Sequence, residues 1–227
     1  MADAKLLQHV HSHAPMPDVS SVEDLLSMAR LVLSLGQVRR ATMHVDGEPE
    51  SDTTHTVMLV LVAMDVAARA GYNPGLAAQF AAVHDLTEAY AGDTNTAYGL
   101  SAEAAEAKAM RESDALQRIT GELAEDSHVV CLLWRYEAQQ EPEARLVRCL
   151  DKMLPQLTHL LNKGIALQAV GLTADALREK HAAQGASLAS QYPEMLEARR
   201  LLAEACDLVR CGIISGDIRA AQGGTTG

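Results

Sequence analysis

The chain has 227 residues, a length that fits one domain around one sizeable core. Its formal net charge of −11 excludes a nucleic-acid polymer or an anionic membrane as the expected partner, but not a small anion met by local Arg or metal charge. Hydrophobic residues make up 48%, yet there are only one Trp, five Tyr and one Phe, so Leu, Ala, Val and Met must fill the core.

The predicted elements follow in chain order. Residues 1–20 carry Pro15 and Pro17 without an amphipathic pattern and read as a flexible arm. Its run His9-Val10-His11-Ser12-His13 has nothing nearby to rigidify it for metal binding. Ser20 or Ser21 caps a first helix with Leu25, Leu26, Met28, Ala29, Val32 and Leu33 inward, and Gly36 ends it. Residues 36–54 show no helical period. Asp46-Gly47 and Pro49 make them a long connection without secondary structure, a kind that is often functional.

A second helix spans about 54–70, and its near-continuous apolar run places it at the centre of a bundle. Asn73-Pro74 opens a third, which carries His84-Asp85 and stops at Gly92. Ser101, with Glu103 and Glu106, opens the next, and another is centred on 129–138. Pro142 opens the helix of Asp151 and Gly164 closes it. A helix after Thr173 is broken by Pro193, and the last runs to about Cys211.

With no period-two alternation and no internal repeat, the chain reads as all-α. The folded domain is expected over 21–213, and a Gly-rich disordered tail over 214–227. The cysteines Cys131, Cys149, Cys206 and Cys211 lack CxxC spacing and are expected to be reduced thiols. Neither a signal peptide nor an 18-residue apolar run is read, which points to a cytoplasmic protein.

Chemistry concentrates in residues 82–94. On a helix, adjacent side chains diverge by roughly 100°, so His84 and Asp85 can both reach one ion between them. Glu88, one turn on, stands on the same flank. Two metal ligands beside a free carboxylate are what metal-assisted hydrolysis requires, although Glu88 alone also suits a surface helix. Asp151 lies among Leu146, Val147, Leu150, Met153 and Leu154, where an unpaired carboxylate is costly, so a cation or an ion pair must compensate it. His55, at a helix start, suits either a ligand or a capped, solvent-facing histidine. Asp93, after Gly92, suits either a turn or a catalytic role.

Three segments in order carry a family resemblance: Glu50 to His55 as E-x-x-x-x-H, His84 to Asp93 as H-D-x-x-E-x-x-x-G-D, and Tyr136 to Asp151 as Y-E-x-Q-x-x-x-E-A-x-x-V-x-x-x-D. Over about residues 30–165 the chain resembles the HD-domain metal phosphohydrolases, most closely their 5'-deoxynucleotidase branch. The resemblance implies an all-α HD-domain helical bundle with a single metal site held by His55, His84, Asp85 and Asp151. It further implies Glu88 and Asp93 as catalytic or substrate-side carboxylates, and a homodimer. Two His and two Asp suit Mn²⁺, Co²⁺, Fe²⁺ or Zn²⁺, while Mg²⁺ is compatible but prefers all-oxygen sites.

Arg39 and Arg40 are the expected phosphate contacts. Arg40 aligns with the Arg of an Arg-Trp pair in the bacterial deoxynucleotidases, but Ala41 stands in place of the Trp, which leaves sugar selection open. The expected activity is release of phosphate from (deoxy)nucleoside 5'-monophosphates. A deoxynucleoside triphosphate hydrolase is the alternative, disfavoured because the acidic loop 46–52 supplies no extra cations. A metal-stabilised regulatory domain is the third reading, disfavoured because Glu88 and Asp93 accompany the ligands.

Overall fold

Ser21 accepts a hydrogen bond from the Asp24 amide, and the Asp24 carboxylate accepts one from the Ser21 amide. This reciprocal cap starts α1 (Val22–Leu35). The computed structural model describes residues 21–94 and 99–221; the N-terminal arm expected over 1–20 lies outside them. The inner face of α1 is narrower than expected. Leu31 and Leu35 are buried and Met28 packs beside them, whereas Leu25 and Leu33 are 61% and 70% exposed. The sequence holds more apolar residues than one buried stripe can use, so its pattern misassigns the face.

The connection after α1 is not structureless. Strands β1 (Arg39–Met43) and β2 (Pro49–Ser51) form an antiparallel hairpin, pairing Arg39 with Ser51 and Met43 with Pro49 around an irregularity. Its turn closes through the His44 amide on the Glu48 carbonyl, 2.9 Å, with Gly47 at φ +89°. Ser51 then caps α2 (Asp52–Ala70), which starts two residues earlier than expected and ends at Gly71 in the left-handed region. By length and composition α2 could cross a membrane, contrary to the expected absence of such a run. One face of it enters the core, where Leu59, Ala63 and Ala67 are wholly buried, while Val57 and Leu61 on the other face are exposed.

Asn73 caps α3 (Pro74–Val83), with Pro74 at its first position. The helix stops before His84; residues 84–87 form a turn leading into the single turn α4 (Glu88–Ala91), ended by Gly92. Beyond lie α5 (Ala102–Glu122), capped by Ser101, and α6 (His128–Ala138). Then come α7 (Pro142–Leu161), α8 (Ile165–Ala169), α9 (Ala174–Gln191), capped by Thr173, and α10 (Leu196–Ser215).

Helices α2, α3 and α7 meet at the centre, where Phe80, Leu150 and Leu154 have no exposure, and α10 covers α7. The four cysteines are free, with Cys149 and Cys206 buried.

A second, smaller apolar cluster joins Leu167, Leu172, Leu177, Val209 and Ile218. Ile218 lies within the stretch expected as a disordered tail, yet it is packed in this cluster. The Ile218 amide reaches the Gly212 carbonyl, Arg219 reaches Lys163, and Ala221 reaches Leu172. Gly164 permits this return, because a Cβ there would lie 2.0 Å from the Arg219 carbonyl oxygen. Residues 222–227 fall outside the described part of the chain.

Candidate metal centre

Four side chains from three parts of the fold converge. His55 is the fourth residue of α2, His84 closes α3, Asp85 follows on the turn, and Asp151 lies midway along α7. One donor atom from each lies within 4.8 Å of every other. His55 Nε2 is 3.0 Å from Asp151 Oδ1 and 3.9 Å from Asp85 Oδ2; His84 Nε2 is 2.8 Å and 3.9 Å from Asp85 Oδ2 and Asp151 Oδ1.

His84 Nδ1 donates to the Ala81 carbonyl at 2.8 Å, which leaves Nε2 as the lone-pair nitrogen. Nε2 is buried and, despite the short Asp85 contact, makes no aligned hydrogen bond. An orphaned imidazole nitrogen facing two carboxylates and a second imidazole fits a divalent cation, with the Ala81 carbonyl fixing the ligand ring from behind. Because the pair lies on a turn and not a regular helix, Asp85 leaves the α3 axis and faces the hairpin.

The electrostatics call for positive charge. Burial opposes charging His84, but Asp85 and Asp151 outweigh it and raise its pKa. Burial likewise opposes ionising Asp85 and Asp151. His84 nevertheless holds the Asp85 carboxyl well below its usual range, and Lys152, 2.7 Å from Asp151 Oδ2, does so for Asp151.

Arg40 of β1 arrives from the hairpin, its Nη1 3.0 Å from Asp52 Oδ1 and 3.1 Å from Asp85 Oδ2. A second carboxylate group adjoins the first: Asp52, Asp85 and Glu88 each place one oxygen within 4.8 Å of the others'. Burial, then Asp85, Asp52 and Asp93, push the Glu88 carboxyl up to about 10, so it holds a proton at neutral pH in the absence of a cation.

Asp93 and Arg40 also line a cleft beside this cluster. The structure thus brings together Arg40, His55, His84, Asp85, Glu88 and Asp151, with Asp93 adjoining. It does not bring Arg39, which is exposed and donates to the Gly36 carbonyl at 2.8 Å. Three polar residues escape a sequence reading. Asp52 sits one turn before His55 on the same face of α2, a signal hidden while the helix is started at 54. His159 and Lys180, from α7 and α9, meet in the cleft only through tertiary packing.

A helical bundle that converges two His and two Asp on one point, with a buried acid and an arginine alongside, defines a protein built around a metal centre. A model of the HD domain family matches residues 32–192, and the chain belongs to that family. It is similar to the 5'-deoxynucleotidase HDDC2 of Danio rerio, 33% identical over 136 residues, covering 58% of this chain and 66% of that protein. The alignment therefore spans slightly less than two thirds of the relative. In fold it is similar to the crystal structure of a protein described as a predicted metal-dependent phosphohydrolase from Magnetospirillum magnetotacticum MS-1. That likeness has a TM-score of 0.64 over 88% of this chain and 100% of the other, at 24% identity.

Proposed function

We propose that this chain is a metal-dependent phosphohydrolase that releases phosphate from (deoxy)nucleoside 5'-monophosphates. The observation that carries the reading is the buried, unpartnered His84 Nε2 facing Asp85, His55 and Asp151, with Arg40 and Glu88 beside them. The names of the relatives, a 5'-deoxynucleotidase and a metal-dependent phosphohydrolase, agree with it. Two imidazoles and two carboxylates favour Mn²⁺, Co²⁺, Fe²⁺ or Zn²⁺.

Held by His55, His84, Asp85 and Asp151, such an ion supplies a Lewis acid that eases deprotonation of water near neutral pH and offsets phosphoryl charge. The protein supplies the rest. Arg40 turns donors toward the phosphoryl oxygens, and its carboxylate neighbours keep it charged and oriented. Glu88 holds or moves the proton of the attacking water from a buried position beside Asp85. Asp93, which lines the cleft, serves the leaving sugar oxygen. The cleft adds one cation, Lys180, to Arg40, which suits one phosphate better than three.

The test is a phosphate-release screen over nucleoside mono-, di- and triphosphates, repeated with each divalent metal. Orthophosphate from monophosphates is the expected product. Tripolyphosphate from triphosphates alone would replace this reading with a triphosphohydrolase, and metal binding without turnover of any nucleotide would make the domain regulatory.

A further inference from the structure

A cleft lined by Arg40 and Asp93 lies between β1 and the packed α7, α8 and α9, and encloses about 100 Å³ before it opens to solvent. That is below the usual volume of a whole small-molecule site, so it can take only one end of a ligand. About half of its lining is apolar: Ala41 and Pro155 contribute, and Leu167 and Leu172 extend the second apolar cluster into it. Among its polar side chains, which include Arg40, Thr42, Asp93 and Thr94, two stand out. His159 is only 9% exposed, and its Nδ1 is buried without a hydrogen-bond partner. Lys180 is half-buried, and the neighbouring charge that acts on it is another cation, Lys152.

An ammonium without a counter-charge and an unpaired imidazole nitrogen are costly among apolar walls. Their arrangement therefore points to an occupant with hydrogen-bonding groups at its edge and an apolar face. A polyphosphate fits poorly, because beyond Arg40 the cleft offers its several charges one further ammonium, Lys180. A nucleobase fits, since the same molecule can place its phosphate at the metal cluster and its sugar beside Asp93.

We propose that this cleft is the base-reading half of the substrate site. Lys180, supported by His159, selects bases that present a carbonyl at their outer edge (O6 of guanine, O4 of thymine or uracil) over those that present an amino group (N6 of adenine, N4 of cytosine). The inference rests on the nucleotidase reading. Lysine has three donors and no acceptor, so it pairs with a carbonyl oxygen but leaves an exocyclic amine unpaired against a positive charge. The His159 ring can donate or accept, so it tolerates either edge, and Lys180 sets the preference.

The experiment measures kcat and KM for dGMP, dTMP, dUMP, dAMP, dCMP and the base-free probe 2-deoxyribose 5-phosphate. It uses the metal-loaded wild type, Lys180→Met and Lys180→Glu, with metal content and circular dichroism checking each protein. The wild type is expected to favour the carbonyl bases by about tenfold or more in kcat/KM, with the base-free probe poorest. Lys180→Met should bring the ratio near one, and Lys180→Glu, now an acceptor, should reverse it.

Equal rates on all five nucleotides in the wild type would overturn the proposal. So would a Lys180→Met protein that loses the same factor on every substrate, the base-free probe included, because Lys180 would then serve the phosphate. In both cases nucleotide hydrolysis itself persists and the proposed function stands. Turnover of the base-free probe with none of the nucleotides would instead remove the nucleotidase reading, and this inference with it.

Discussion

Arg40 and Asp85 are joined by a 3.1 Å contact from Nη1 to Oδ2, and that oxygen is the one facing His84 Nε2 at 2.8 Å. The hairpin is thereby tied to the same carboxylate that completes the metal cluster. Removing the guanidinium takes away phosphoryl donors and leaves Asp52 and Asp85 without their shared cation. Arg40→Ala should lower kcat/KM by roughly 10²-fold, the scale of losing one positioned donor. Arg40→Lys should recover only part of this, since an ammonium lacks the planar fork. Steady-state kinetics with metal content checks the claim, and wild-type rates in Arg40→Ala would restrict Arg40 to pinning the hairpin.

His84→Ala and Asp151→Ala should each abolish turnover and bound metal while the protein stays helical. The two residues come from the turn that follows α3 and from α7, so either change opens the cluster from a different side. Elemental analysis, turnover and circular dichroism are measured together. A His84→Ala protein with its full complement of metal and a normal rate would contradict the ligand set.

Glu88→Gln keeps the size and hydrogen-bonding capacity of a buried side chain but cannot exchange a proton. It should retain metal and lose kcat by roughly 10²-fold or more, the usual worth of a positioned acid or base. An unchanged kcat with a raised KM would make Glu88 a binding residue.

His181 on α9 is buried, and its Nε2 lies 2.9 Å from Gln156 Oε1, the geometry of a ring N–H donating to an amide oxygen. Burial, with Lys180 and Arg210 nearby, lowers its pKa from 6.5 to about 4. The folded state therefore binds a proton less readily than the unfolded one. The stability present above pH 6.5 should be lost progressively as pH falls toward 4. His181→Gln should flatten the dependence of Tm on pH across that window. An equally steep profile in the variant would place the acid sensitivity elsewhere, with His159, lowered to about 4 by burial, then Lys180 and His181, as the next residue to change.

The convergence of His55, His84, Asp85 and Asp151 was legible through three motifs in order, whereas each residue read alone left another use open. The spacing of His84, Asp85 and Glu88 survives even though the pair sits on a turn and not on a helix. The hairpin was not legible. Arg39-Arg40-Ala41-Thr42-Met43 shows no apolar alternation, because its inward side chains face carboxylates: Arg40 meets Asp52 and Asp85, and Thr42 hydrogen-bonds Glu50. The α1 face was misread because Leu and Val fill both sides of that helix. Lys180 and His159 stand 21 positions apart on different helices, and no local pattern announces their meeting.

The return of residues 216–221 ties the end of the chain to the floor of the cleft. Ile218 shares a cluster with Leu167 and Leu172, and Ala221 bonds the Leu172 carbonyl, while the four candidate ligands lie between residues 55 and 151. The proposed base site thus leans on a segment that follows the last candidate ligand, although its own lining starts at Arg40. A population of molecules clipped by a protease at residue 215 would keep the ion and blur the choice of base.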